Sequence, residues 1–260
     1  MSKDLIAQRF VTDFDDMEFI LDSAVKKANP YKDPSTGRFT TGGGSAGPAQ
    51  PKVSEGKLNE TYFEKKADKA YATGTDDEFN INHTGDESVA ALGHYLGTGH
   101  VMNDRLRKND VSVEDPTMAY VDTPNVRGLD NAIEMAPRMP KQTVFRVGSQ
   151  EAVEKLRKGS VYEDKGFTST TAVDITHPEN GIQLLTLAKV SSGQKALMRI
   201  DTGKEGKGIY MPKMFPGQPI AEFEKEFLMP RGTKMKYLGE DYLFLDNGSS
   251  IKIHDFKVVE

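Results

Sequence analysis

The chain has 260 residues, 37% of them hydrophobic and 28% charged, which is enough apolar mass for one full domain with an appendage. No run approaches the ~20 apolar residues that a membrane-spanning helix needs, and the absence of cysteine excludes disulfide frameworks, thiolate nucleophiles and cysteine-ligated zinc. Lys and Arg total 34 against 39 Asp and Glu, a net charge of −5 that argues against a broad phosphate-binding face but leaves room for a local basic pocket.

The opening MSKDLIAQRF carries an acid where a secretory signal would run from basic to apolar, so export by that route is not expected. Over residues 4–27 Leu5, Ile6, Phe10, Phe14, Met17, Ile20, Leu21 and Val25 recur at steps of three and four, which predicts one amphipathic helix in an N-terminal segment 1–28. Residues 29–57 are so rich in Gly, Pro, Ser and Thr that they read as a flexible linker. The helix before it either docks back on the main domain or anchors it to something else, because an isolated helix of that length is marginal in water. The folded domain is then 58–260. Helical periodicity continues over 62–71, 87–108 and 126–135, up to the break APRMPK.

Beyond Gln142 the pattern switches to short β-rich runs, at 143–147, 166–171, 182–190, 195–200, 221–229, 234–239, 242–246 and 250–259. Helices first and strands after indicate an α+β domain: N-terminal helices packed on a two-sheet, mainly antiparallel β-sandwich.

No metal is expected, because His83, His94, His100, His177 and His254 form no i, i+4 pair and no zinc-hydrolase motif. GKEGKG (203–208) lacks the spacing of a phosphate loop and reads as a connection between strands. AEFEKEFLMPRGTKMKY carries more information. Glu222, Glu224 and Glu226 are two apart, so an extended strand would put all three carboxylates on one face, and Pro230-Arg231-Gly232 would then turn the chain. A solvated strand face tolerates such a stack at little cost. Arg146 stands between Phe145 and Val147 in a short apolar strand, where a charge needs a partner or an anionic ligand. Ser169, Thr170 and Thr171 supply three consecutive hydroxyls beside Phe167. Taken singly these are ordinary, as a structural ion pair and a strand of high β propensity would be.

Taken in order, an aromatic-Arg strand, a Phe-x-Ser-Thr-Ser/Thr strand and Glu-x-Glu followed by apolar residues and Pro-Arg-Gly resemble the Arg/Ser/Glu class of mono-ADP-ribosyltransferases, which includes bacterial binary toxins that modify actin. The likeness extends to VYEDKGFTSTT (161–171), to 195–237, to YLGTGHVMNDRLR (95–107) and to LDNAIEMAP (129–137), and so covers about 58–260. It implies the fold of that class and NAD as substrate, with no metal. It also implies roles. Arg146 would hold the NAD phosphates, as a planar guanidinium suits. Ser169 would orient Glu226 and the nicotinamide-side ribose, supported by Thr170 and Thr171. Glu226 would bond the ribose 2′-hydroxyl and stabilise an oxocarbenium-like state. Glu224 would position and deprotonate the acceptor, typically an arginine of a target protein when the pair is Glu-x-Glu. Tyr95 and Asn103 would contact the adenosine or phosphate end, and the loop 214–223 would recognise the target.

The sequence departs from the class at Thr171, which replaces Ser, and over 172–188, which lacks the class's nicotinamide-stacking aromatic and its phosphate-contacting arginine. DPSTGRFTTGGG (33–44) resembles low-complexity segments of head-associated proteins of tailed bacteriophages. That likeness implies a soluble enzyme associated with a virion and delivered to the cytoplasm of a host bacterium. The leading expectation is an NAD-dependent protein-arginine mono-ADP-ribosyltransferase. A catalytically silent virion module of the same fold, an NAD glycohydrolase, and a transferase acting on nucleic acid or another side chain remain as alternatives.

Overall fold

The computed structural model describes residues 60–71, 85–173, 195–244 and 250–259, all within one unit made of 58–244 and 250–260. The helix expected over 4–27, the linker over 29–57 and the strand over 182–190 lie outside the described residues.

Three helices come first, close to their expected bounds: α1 (Glu60–Tyr71), α2 (Asp86–Lys108) and α3 (Pro124–Met135). α2 carries Asp86 and Glu87 in its first turn and Arg105, Arg107 and Lys108 in its last, charges that complement the helix dipole. It stops where Asn109 turns left-handed at φ 57°. Pro124 opens α3, where a missing N–H costs nothing. The two helices touch backbone to backbone: a Cβ on Gly128 would stand 2.6 Å from the Glu87 carbonyl oxygen and 2.7 Å from the Ala91 Cβ.

The remaining elements are β1 (Met139–Pro140), β2 (Thr143–Ser149), α4 (Gln150–Glu154), β3 (Val161–Thr171), β4 (Lys195–Asp201), β5 (Glu205–Gly206), β6 (Ile209–Tyr210), α5 (Met211–Met214), α6 (Pro219–Glu224), β7 (Glu226–Phe244) and β8 (Ser250–Val258). The short helices α4, α5 and α6 carry too few residues for a periodic signal, and the sequence does not predict them. β5 lies inside GKEGKG and pairs with β1, so that segment connects strands, as expected.

The main sheet has the order β3-β2-β4-β8-β7-β6, and β3 pairs with β7 as well. All of these pairs are antiparallel except β4 with β8. β7 joins the two halves of the expected sandwich. The sequence predicts two strands after a turn at Pro230-Arg231-Gly232, whereas one strand runs from Glu226 to Phe244, beside β3 first and beside β8 afterwards. Proline cannot donate to a ladder, and Pro230 falls where the register slips between Thr168↔Met229 and Phe167↔Arg231. Gly232 takes the φ of +71° that follows. The residues that read as a turn make a bulge.

Two apolar clusters hold this frame. One gathers Val144, Met198, Ile200, Phe227, Met235 and Phe256 from the strands with Ala67 and Tyr71 of α1. The other sets Leu92, Tyr95, Met102, Val126, Leu129 and Ile133 of the helices against Phe167 and Leu228. Adjacent residues of β7 thus serve different cores, Phe227 the first and Leu228 the second, as strand alternation requires.

The strand expected over 221–229 is half wrong. Residues 219–224 form α6, Lys225 turns left-handed at φ 45°, ψ 42°, and extended structure begins at Glu226. Glu222 and Glu224 therefore share no strand face with Glu226. The alternation of acids was a helix surface, anchored by the buried Ala221 and opened by Pro219 at its first position.

Candidate active site

Three strands and one helix meet around Glu226. Ladder pairing places Thr171 opposite Glu226, Thr170 opposite Phe227 and Ser169 opposite Leu228, and Phe145, next to Arg146, pairs with Thr171. The hydroxyl run secures this junction. Thr170 donates to the Phe227 carbonyl at 2.5 Å and Thr171 to the Glu224 carbonyl at 2.8 Å, while the Ala172 N–H donates to the Lys225 carbonyl at 3.0 Å. Both threonine hydroxyls are spent on backbone, so of the three only Ser169 turns to the acid.

Glu226 is 6% exposed, and its carboxyl is hydrogen-bonded by the Ser169 hydroxyl and the Tyr95 phenol. Burial lifts its pKa from 4.5 to about 7; repulsion from Glu224 adds to the rise, while Ser169, Tyr95 and the charge of Arg146 work against it. Arg146 thus lies near enough for its charge to act on Glu226. Tyr95 comes from α2 and is held from both ends: the Asn103 amide donates to its phenol at 3.0 Å, and its ring meets Phe167 edge-on at 6.2 Å. Asn103 spends its other amide atom as well, accepting the Phe167 N–H at 2.7 Å. Tyr95 and Asn103 are each 4% exposed, bonded to one another and, through Tyr95, to Glu226. Burial pushes the Tyr95 phenol far above its ordinary range, so it stays a donor.

Glu224 is exposed at the end of α6, and Glu222 beside it is paired with Lys225 at 2.9 Å, a bond that holds Glu222 below the usual carboxylate range. Arg146 has the partner its strand position called for. Its Nη1 donates to Asp164 Oδ2 at 2.5 Å, and the same carboxylate receives Arg107 of α2 through Nε at 2.9 Å and Nη2 at 3.0 Å. No sequence motif singles out Asp164 or Arg107. The available signal was alternation: counting back by twos from Asp164 reaches Tyr162, which packs against the strand core, so the acid points inward and must be paired.

The site thus holds a buried acid beside a serine hydroxyl, a second acid two residues earlier at the surface, and a guanidinium whose charge acts on the buried one. The family model for the ADP-ribosyltransferase exoenzyme matches residues 60–258. The chain belongs to this family. It is a mono-ADP-ribosyltransferase, and its substrate is NAD. Similar solved structures are Plx2a, an ADP-ribosyltransferase toxin from Paenibacillus larvae (TM-score 0.53, 16% identity, 77% of this chain and 96% of that one), and the C3 exoenzyme of Clostridium limosum (TM-score 0.50, 14% identity, 77% and 92%). C3stau2 from S. aureus, solved with NAD, aligns with a TM-score of 0.49 at 16% identity over 77% and 94%. Among curated protein sequences none matches. Identities this low carry the fold, and the family model carries the activity. No helix among the described residues of the exoenzyme is long and apolar enough to cross a membrane.

Proposed function

We propose that this exoenzyme transfers ADP-ribose from NAD to an arginine side chain of a target protein, with Glu226 and Glu224 dividing the work. The observation that carries this reading is the contrast between the two acids: Glu226 buried and hydrogen-bonded, Glu224 exposed two residues earlier and close enough for its charge to act on Glu226. Glu226, as the carboxylate, bonds the ribose and stabilises positive charge while the bond between C1′ and the nicotinamide nitrogen breaks, nicotinamide leaving with the electron pair. A guanidinium nitrogen of the acceptor then bonds to C1′, and its proton passes to Glu224. Arg146 takes the diphosphate. Arg107, on the same carboxylate as Arg146, supplies the second guanidinium that 172–188 lacks. The phage-like segment 33–44 supports delivery with a virion into a host bacterium, and it lies outside the described residues.

The test uses NAD with agmatine as a small guanidine acceptor. Glu226→Gln should lose nicotinamide release and transfer together, by about 10²–10⁴-fold. Glu224→Gln should keep nicotinamide release and lose transfer by a similar factor. Equal loss of both in Glu224→Gln would refute the division of roles, and release without transfer in the wild type would make water the acceptor.

A further inference from the structure

Asp164 is 1% exposed, and its carboxylate is filled: Oδ1 accepts from Arg107 Nε at 2.9 Å and from the Gly166 N–H at 3.0 Å, while Oδ2 accepts from Arg107 Nη2 at 3.0 Å and Arg146 Nη1 at 2.5 Å. Two of the donors come from different elements, Arg146 from β2 and Arg107 from α2, and neither element brings a second acid to Arg146 among the described residues. Two guanidinium groups gathered this closely repel one another unless a charge lies between them. Asp164 is that charge for both guanidiniums, and exposed Asp104 offsets Arg107 again from its other edge, so Arg146 is the one whose only acid here is the shared Asp164.

The filled carboxylate also fixes direction. Arg107 gives Asp164 its Nε edge as a two-point fork, and Nη1 on the other edge lies 3.5 Å from exposed Asp104. Arg146 gives a single Nη1 contact, which leaves most of its N–H groups for another acceptor. At 13% side-chain exposure Arg146 cannot swing into bulk water, so its aim depends on that contact. The backbone is included too, since the Gly166 N–H on Oδ1 ties Asp164 to the irregular stretch of β3 that leads into Phe167 and Ser169.

We infer that Asp164 is a positioning residue for the NAD diphosphate: it holds Arg146 and Arg107 side by side, with the donors they do not give to it turned to a diphosphate. The inference rests on the reading of the site as an NAD site. The same geometry would serve ADP, whose diphosphate and adenosine half are those of NAD.

Asp164→Asn and Asp164→Glu test it. In Asp164→Asn an amide donor faces guanidinium donors, so Arg146 loses its aim. In Asp164→Glu the charge stays but is displaced by a methylene, which separates neutralisation from positioning. Both variants should raise the KM for NAD and the Kd for ADP by calorimetry about 10- to 100-fold, the worth of one charge-assisted hydrogen bond. kcat for nicotinamide release should stay within about threefold of the wild type. In an Arg146→Lys background the effect of Asp164→Asn should shrink, because both changes remove the same contact.

ADP bound by both variants as tightly as by the wild type would overturn the inference. So would variants that lose folding and show no selective rise in KM or Kd in whatever fraction remains folded, since Asp164 would then be scaffold. A wild type that neither binds ADP nor releases nicotinamide would instead overturn the reading of the site.

Discussion

Glu226→Gln should change how the stability of this enzyme depends on pH, by an amount the site itself sets. Burial takes the Glu226 pKa from 4.5 to about 7. The difference, 7 less 4.5, at ~1.36 kcal/mol per pH unit makes the ionised form about 3 kcal/mol harder to accommodate in the folded chain than in the unfolded one. Below about pH 4.5 the acid is neutral in both states and its favourable contribution is complete. Between 4.5 and 7 the folded chain keeps a proton that the unfolded chain has released, so stability falls as pH rises, and it levels off above 7. Glutamine is neutral throughout. The stability of Glu226→Gln minus that of the wild type should therefore grow by about 2.5 kcal/mol between pH 5 and pH 8.5, or roughly 5–10 °C in Tm for a domain of this size. Thermal unfolding of the two proteins at both pH values measures it, and titrating groups that do not act on Glu226 cancel in the difference. A gap that is the same at both pH values, or that closes as pH rises, would refute the assignment of a buried, proton-retaining Glu226.

The same acid governs rate with the opposite sign. If the carboxylate form is the one that acts, kcat/KM for nicotinamide release should fall about tenfold per pH unit below pH ~7, and a profile that stays flat to pH 5 would remove Glu226 from that step. A third test concerns the platform that carries Tyr95. Gly128→Ala would drive a methyl to 2.6 Å from the backbone oxygen of Glu87, which cannot rotate aside, and should lower stability by about 1–3 kcal/mol in a urea melt. An unchanged midpoint would mean that the two helices separate freely there.

How much of this could be read from the sequence follows from how local each feature is. Periodicity of three and four gave α2 and α3 within a residue or two, because each buries a long stripe. Alternation gave β2, β4 and β8. The resemblance grouped Arg146, Ser169 and Glu226, and β3, which carries Ser169, pairs with both β2 and β7, which carry the other two. β7 was cut in pieces because Pro230 and Gly232 are punctuation in a turn and in a bulge alike, and only pairing with β3 decides which. The pairing of Asp164 with Arg107 was invisible for a different reason. They are 57 residues apart, and nothing in either segment indicates that α2 will cross β3 at that position. The Tyr95–Asn103 bond is local, eight residues along one helix, but its purpose appears only when Glu226 arrives from β7.

The most consequential misreading was also the most regular pattern, Glu222, Glu224 and Glu226. On one strand, side chains two apart stand about 7 Å from each other on the same face and share one environment. Two acids so placed would be solvated together or buried together, and neither arrangement lets one retain a proton while the other stays open to an incoming side chain. The turn at Lys225 breaks that symmetry. Its left-handed backbone costs a non-glycine residue on the order of 1 kcal/mol, and the chain bears that strain at the point where α6 ends and β7 begins. Glu224 is left at the surface of a helix end, while Glu226 enters the strand and is enclosed by Ser169 and Tyr95. A buried acid beside an exposed one is the arrangement by which two chemically identical carboxyls acquire different tasks. In this chain the residue between them creates the difference.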